Sequence, residues 1–270
     1  MADISKLRKM SGAGMMDCKN ALEEANNDFD KAMEIIRKKG QAVAAKRSDR
    51  EASEGCVLAA VNGDFAAIVA LKCETDFVAK NAEFIALTQN ILNVALQNKP
   101  ATLNDLLALK SEGRAVSELI TDRIGVTGEK MELGYYEHVK GGSPVAYIHP
   151  GNKLATIVVF NRNDVGQQMA KDVAMQIAAM NPVAIRPEEV PASVIEKELE
   201  IARDKARQAG KPENLLDKIA EGSLVKYYKE YTLLQQEFVK DNKQTIDQYL
   251  KSGNKELTVT AFKRVTLNLE

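Results

Sequence analysis

Two stretches of this 270-residue chain repeat one another, and the repeat limits the possible folds more than any other feature. "CVLAAVNGDFAAIVALK" (56–72) is a pair of β-type segments around Asn62-Gly63, a strong short hairpin signal. "PVAYIHPGNKLATIVVFN" (144–161) repeats that arrangement around Pro150-Gly151-Asn152. Val57, Ala59 and Val61 correspond to Val145, Tyr147 and His149, while Ile68, Val69 and Leu71 correspond to Ile157, Val158 and Phe160. Each hairpin leads into an amphipathic helix. Ile85, Thr88, Leu92 and Ala95 share a face in the first, and Met169, Val173, Ile177 and Met180 in the second. "KMELGYYEHV" (130–139) and "KELTVTAFKRV" (255–265) each read as a third strand for one sheet. The pattern predicts an α+β fold whose duplicated core holds two small antiparallel sheets, each with helices on one face.

The remaining segments arrange themselves around that core. Residues 1–40 read as three short helices. The first spans about 3–10, and Ser11-Gly12-Ala13-Gly14 breaks the chain. Asp17 is a candidate N-cap for the second helix, Asp28 or Asp30 for the third, and Gly40 a candidate stop. Met15 and Met16 either complete this thin core or face a partner. Residues 41–55, rich in alanine and charge, read as a partly helical linker. The first core half runs over 56–139, with helical pattern inserted at Leu103–Leu109 and Val116–Ile124; the second comprises 140–181 and 229–270. Within 182–228, Ile195, Leu199, Ala202, Ala206 and Ala209 follow the 4-3-4-3 spacing of a coiled-coil seam. Gly210-Lys211-Pro212 turns the chain, and Leu215, Leu216, Ile219 and Val225 offer a return helix. This insertion is predicted to be an antiparallel coiled-coil hairpin, either structural or a docking arm.

Composition and motifs exclude several function classes. Thirty-seven basic against 38 acidic residues give no basic surface for nucleic acid, so direct nucleic-acid binding is not expected. Cys18, Cys56 and Cys73 are odd in number and widely spaced, which suits neither a disulfide framework nor a zinc site. "MADISKLRKM" has no apolar h-region, and no later run can span a bilayer, so the expectation is a cytoplasmic protein without a membrane partner. Only His138 and His149 offer imidazole, neither at chelating spacing. "GAGMMD" (12–17) mimics a dinucleotide fingerprint but lacks the third glycine and a preceding strand. No catalytic residue and no cofactor is predicted, and the chain does not read as an enzyme.

One stretch resists a purely structural account. "CETDFVAKN" (73–81) leaves the first hairpin with Phe77 and Val78 amid polar neighbours. Aligned by hairpin and helix, this connection is expected to be five residues longer than its counterpart around "RNDVGQ" (162–167), which has no aromatic residue. Phe77 is either a hydrophobic staple against the first helical turn near Phe84 or an exposed anchor for a partner's pocket.

"SGAGMMDCKNAL", "TDFV" and "GKPENLLDKIAEG", in that order, make the chain similar to the bacterial elongation factor Ts family. The resemblance implies an N-terminal module like ubiquitin-associated domains, and guanine-nucleotide exchange on the translational GTPase elongation factor Tu. It further implies that Thr75, Asp76, Phe77 and Val78 intrude into the GTPase and dislodge its magnesium ion. Leu7, Met15 and Met16 match positions pressing near the partner's phosphate loop, Ile124 and Gly125 a further core contact, and His149 a contact with another partner domain. Many members carry a further C-terminal helical module, and since this sequence reads to "RVTLNLE" after its last strand, the contacts of that module are not carried over to it. The alternatives from residues alone are a ribosome- or RNA-associated binding module using the arm with Lys46-Arg47 and Lys263-Arg264, and a cysteine-dependent enzyme through Cys73.

Overall fold

The computed structural model describes residues 2–268. The chain forms two compact units. One takes in the described residues of Met1–His138, Ile148–Ala155 and Val265–Glu270; the other comprises Val139–Tyr147 and Thr156–Arg264.

The first unit opens with three helices, α1 (Ala2–Ser11), α2 (Met15–Glu24) and α3 (Phe29–Lys46). Leu7, Cys18, Ala21, Leu22 and Ala32 form their small core. Asp28 caps α3, its carboxylate accepting from the Lys31 N–H at 3.0 Å. Two boundaries differ from expectation. Gly14, not Asp17, is the N-cap of α2, which places Met15 and Met16 in the first turn. Gly40 does not stop α3; it lies within the helix, where its backbone is approached closely by a crossing helix.

β1 (Glu54–Asn62) and β2 (Phe65–Cys73) form the first hairpin, with Asn62 paired to Phe65. The two-residue turn is therefore Gly63-Asp64, with Gly63 at φ +62°. Asn62 sits one place earlier than expected, its side-chain amide donating to the Leu96 carbonyl at 3.1 Å. A one-turn helix α4 (Asp76–Ala79) and the long α5 (Ala82–Asn98) follow. Then come α6 (Leu103–Ala108), a two-residue ladder of β3 (Lys110–Ser111) and β4 (Arg114–Ala115), and α7 (Val116–Thr127). β5 (Met131–Lys140) closes the sheet in the order β1-β2-β5. Phe84, Ile91, Leu92 and Ala95 of α5 pack with Leu58, Val69 and Leu71 of the hairpin and with Ile120 and Ile124 of α7. β1 lies at the sheet's edge, where the Val57 N–H donates to the Asn152 carbonyl at 2.7 Å.

The second sheet repeats the scheme. β6 (Ser143–Ile148) and β7 (Leu154–Phe160) lead into α8 (Gln167–Met180), and β10 (Val259–Thr266) completes a sheet ordered β10-β7-β6. α5 and α8 end alike, at Lys99 with φ 51° and Asn181 with φ 42°. Between α8 and β10, α9 (Ala192–Gln208) doubles back into α10 (Leu216–Tyr231), burying Ala202, Ala206, Leu216 and Ala220. Ala209, placed on the seam by its spacing, is exposed because the helix ends at Gln208. Leu215 and Val225 are also exposed. β8 (Glu237–Phe238), β9 (Asp241–Thr245) and α11 (Ile246–Gly253) were not anticipated; Thr245 and Gln248 form a capping box that starts α11.

Candidate functional site: an aromatic side chain on a clasped turn

The exit from β2 holds an apolar side chain in solvent on an otherwise well-anchored turn. Thr75 has extended backbone (φ −123°, ψ 154°) and caps α4, its hydroxyl oxygen accepting from the Val78 N–H at 3.4 Å. Over that single turn Ala79 is buried and Val78 packs partly into the core, while Phe77 points outward and is 84% exposed. The staple with Phe84 does not form, since Phe84 is buried in the α5–sheet core. Asn81 then starts α5, its side-chain oxygen accepting from the Glu83 N–H at 2.9 Å. Asp76 accepts from Lys80 Nζ at 2.7 Å, one turn on; that bond holds its carboxyl below the usual carboxylate range.

A second strand of chain grips this turn. The Glu129 carboxylate accepts twice from Thr75, at Oε1 from the hydroxyl (2.7 Å) and at Oε2 from the backbone N–H (3.1 Å). Glu74 returns the contact, accepting from the Lys130 N–H at 2.7 Å, and lies 3.7 Å from the Arg47 guanidinium at the end of α3. Sequence reasoning missed Glu129, Glu74 and Lys80. Only Lys80 had a local signal, the Asp–Lys spacing of four on one helical turn.

The other predicted positions separate by exposure. Met15 and Met16 are 60% and 64% exposed on the first turn of α2. Leu7 is fully buried in the three-helix core, so it presents no face outward and shapes the helices that carry the methionines. Ile124 is buried in the sheet core. Gly125 is open to solvent on one side, but a Cβ there would lie 2.6 Å from the Gly40 Cα, so α7 and α3 cross in close contact. His149 is exposed at the second hairpin's turn, where its N–H donates to the Leu154 carbonyl at 2.9 Å. That turn lies near α4: Lys153 pairs with Glu54 at 2.7 Å and its charge also favours ionised Asp76. One unit therefore brings the methionine-bearing helices, α7, the Phe77 turn and the His149 turn together.

The reactive side chains are otherwise occupied. Burial pushes the Cys73 thiol up to about 12 and the Cys56 thiol up to about 11, away from nucleophilic thiolates. His138 stacks between Phe65 and Tyr136, with ring centroids 5.4 Å from each. Among the described residues, no group of histidine, cysteine and carboxylates could hold a metal ion, and no helix is long and apolar enough to cross a membrane.

Comparison with known proteins gives a consistent result. The family model described as "Elongation factor TS" matches residues 74–268. A protein named Elongation factor Ts from Porphyromonas gingivalis is 72% identical over 269 residues, covering 99% of this chain and 98% of its own. One of the same name from Azobacteroides pseudotrichonymphae is 58% identical over 268 residues, with 99% and 98% covered. Another from Phocaeicola vulgatus is 48% identical over 327 residues, with 100% and 99% covered.

Proposed function

The chain belongs to the elongation factor Ts family of translation elongation factors, and from that premise we propose that it promotes GDP release from the cytoplasmic GTPase elongation factor Tu. In this reading Phe77 enters the GTPase and displaces its magnesium ion, with Thr75, Asp76 and Val78 forming the rest of the intruding turn. Met15 and Met16, on helices shaped by Leu7, press near the phosphate loop. Gly125 beside Ile124, and His149 at its hairpin turn, supply further contacts. The observation that carries the reading is Phe77 itself, almost fully exposed on a turn whose other apolar side chains face inward.

Exchange of this kind needs no reactive group. A protein that binds the nucleotide-free GTPase more tightly than the GDP form must, by linkage, weaken GDP by the same ratio. A wedge that fits only when the magnesium region is displaced supplies that difference. Losing the cation removes much of the neutralisation of the GDP phosphates, and their hold on the GTPase falls. Burying a phenylalanine contributes on the order of 1.5–3 kcal/mol, and each ~1.4 kcal/mol is tenfold in affinity. Phe77 thus accounts for roughly one to two orders of magnitude, and the methionines and core contacts supply the rest. GTP rebinding expels the factor by the same linkage. The buried thiols and the stacked His138 suit a mechanism whose nucleotide chemistry lies on the partner.

The test is release of fluorescent GDP from purified elongation factor Tu with and without the chain. Strong acceleration is expected. Release at the intrinsic rate, with salt-sensitive retention on ribosomes or RNA instead, would overturn the proposal.

A further inference from the structure

We propose that Glu129 is the positioning residue of the exchange step, holding Phe77 in its projecting geometry without touching the partner; this rests on the reading of Phe77 as a wedge. An exposed ring has no packing of its own to fix it, so its direction depends on the α4 backbone. Four residues of helix are far below the length that is stable alone in water. The turn's local supports are the Thr75 cap, at a long 3.4 Å, and the Asp76–Lys80 contact. Val78 and Ala79 add inward packing. Glu129 contributes the long-range polar grip, from 54 residues away, and it acts on the capping residue itself. By accepting the Thr75 hydroxyl proton, it turns the oxygen's lone pairs toward the Val78 N–H. By accepting the Thr75 N–H, it fixes the backbone at the start of α4. Both are charge-assisted bonds, the stronger kind.

Glu129 is itself well placed to serve as a fixed point. It follows Gly128, which ends α7 at φ 74°, and its own N–H donates to Thr127 Oγ1 at 3.3 Å. The Glu74–Lys130 bond in the opposite direction makes the clasp reciprocal. Just upstream, α7 is locked across α3 at Gly125 and Gly40. The ring is thereby referenced to the same helix that supports the methionine-bearing module. A binding element ordered in advance avoids the ordering cost on association, so the gain appears in exchange rather than in overall stability.

The sequence contains no tryptophan, which permits a local probe. Full-length Phe77→Trp reports ring mobility by fluorescence anisotropy decay, alone and combined with Glu129→Ala or Glu129→Gln. GDP release from elongation factor Tu is measured in parallel with Phe77 retained. Glu129→Ala is expected to free the ring and slow stimulated release about tenfold, the loss of roughly one charge-assisted bond's ordering. Glu129→Gln, which keeps an acceptor for the Thr75 N–H, should recover to within about threefold of the parent. Thr75→Val, lacking the hydroxyl, serves as the second variant if Glu129→Ala misfolds by circular dichroism, and should free the ring likewise. Unchanged ring mobility in Glu129→Ala or Thr75→Val overturns the proposal, as does slowed release with the ring still fixed, which would mean direct contact with the GTPase. If Phe77→Ala leaves release unchanged, the wedge reading fails by itself, while the anisotropy still decides whether Glu129 holds the ring.

Discussion

The chain leaves its two hairpins by different routes. After β2 the connection is residues 74–81, folded into a helical turn, gripped by Glu129 and bearing an exposed phenylalanine. After β7 it is residues 161–166, without helix or strand and tied down by its own polar side chains. There Arg162 contacts Asp164 at 2.9 Å and Glu256 at 2.8 Å, and Asn161 exchanges bonds with Glu256 and Thr258. Its apolar side chain, Val165, packs partly into the core. The same junction between sheet and helix thus closes without an aromatic residue. Phe77 is not needed to finish the fold, and leaving it in water forgoes roughly 1.5–3 kcal/mol of burial. A side chain held in that condition by a dedicated clasp is placed for something outside the chain.

The strongest way to break this contrast is Phe77→Ala. Stimulated GDP release should fall at least tenfold while circular dichroism and thermal unfolding stay as in the parent, because the ring contacts little of its own molecule. Unchanged release would remove the distinction between the two connections. Next is Gly125→Ala, which tests whether the first connection depends on its mounting. The added methyl meets Gly40 backbone at 2.6 Å, so α3 and α7 must part; a loss of about 1–3 kcal/mol in urea unfolding is expected, together with slower exchange.

Asp76→Ala should weaken exchange less than Phe77→Ala, by about threefold, the scale of one solvated polar contact; the reverse ranking would mean that charge, rather than wedging, drives the displacement. Lys80 lowers the Asp76 pKa, so its ionised pairing is present at neutral pH and lost only as pH falls through that depressed value. Exchange rates from neutral to mildly acidic pH should therefore show no Asp76 step. Arg162→Ala, in the second connection, is expected to leave GDP release unchanged and the melting midpoint nearly so, because exposed pairs contribute little. Smallest of all, alkylation with iodoacetamide at mildly alkaline pH should leave Cys73 unmodified and exchange intact, its thiol being buried and pushed up to about 12. Mass spectrometry reads the first and the GDP assay the second.

The contrast itself was legible in the sequence, but its size was not. Matching Leu71 to Phe160 and Ile85 to Met169 gives a five-residue excess, all of it assigned to the loop. In the structure the connection contributes only two of those residues, 74–81 against 161–166. The other three are Lys72 and Cys73, with which β2 runs on past Leu71 where β7 stops at Phe160, and one residue in the first turn of α5. The hairpins, their following helices and both third strands were readable because alternation and helical period are written locally. α4 is too short to show a period, and the Glu129–Thr75 bonds join residues that no pattern links. Gly40 reads as a helix stop because the helix that crosses its backbone, at Gly125, lies far along the chain. Leu7 was assigned to a partner surface, yet its burial could only be seen once the three helices were packed. α11 does carry a local signal, the Thr245–Gln248 capping box ahead of Tyr249 and Leu250.

The bond from the Val57 N–H to Asn152 has a bearing on how the chain survives in a crowded solution. β1 is a nine-residue border strand, and an unguarded border of that length invites ribbon-like stacking of one molecule upon the next. The turn that carries His149 occupies part of this border and adds Lys153 beside it, paired with Glu54. Shortening that turn would leave a sticky seam on a molecule whose own core is intact, and the first symptom would be turbidity before any loss of helix.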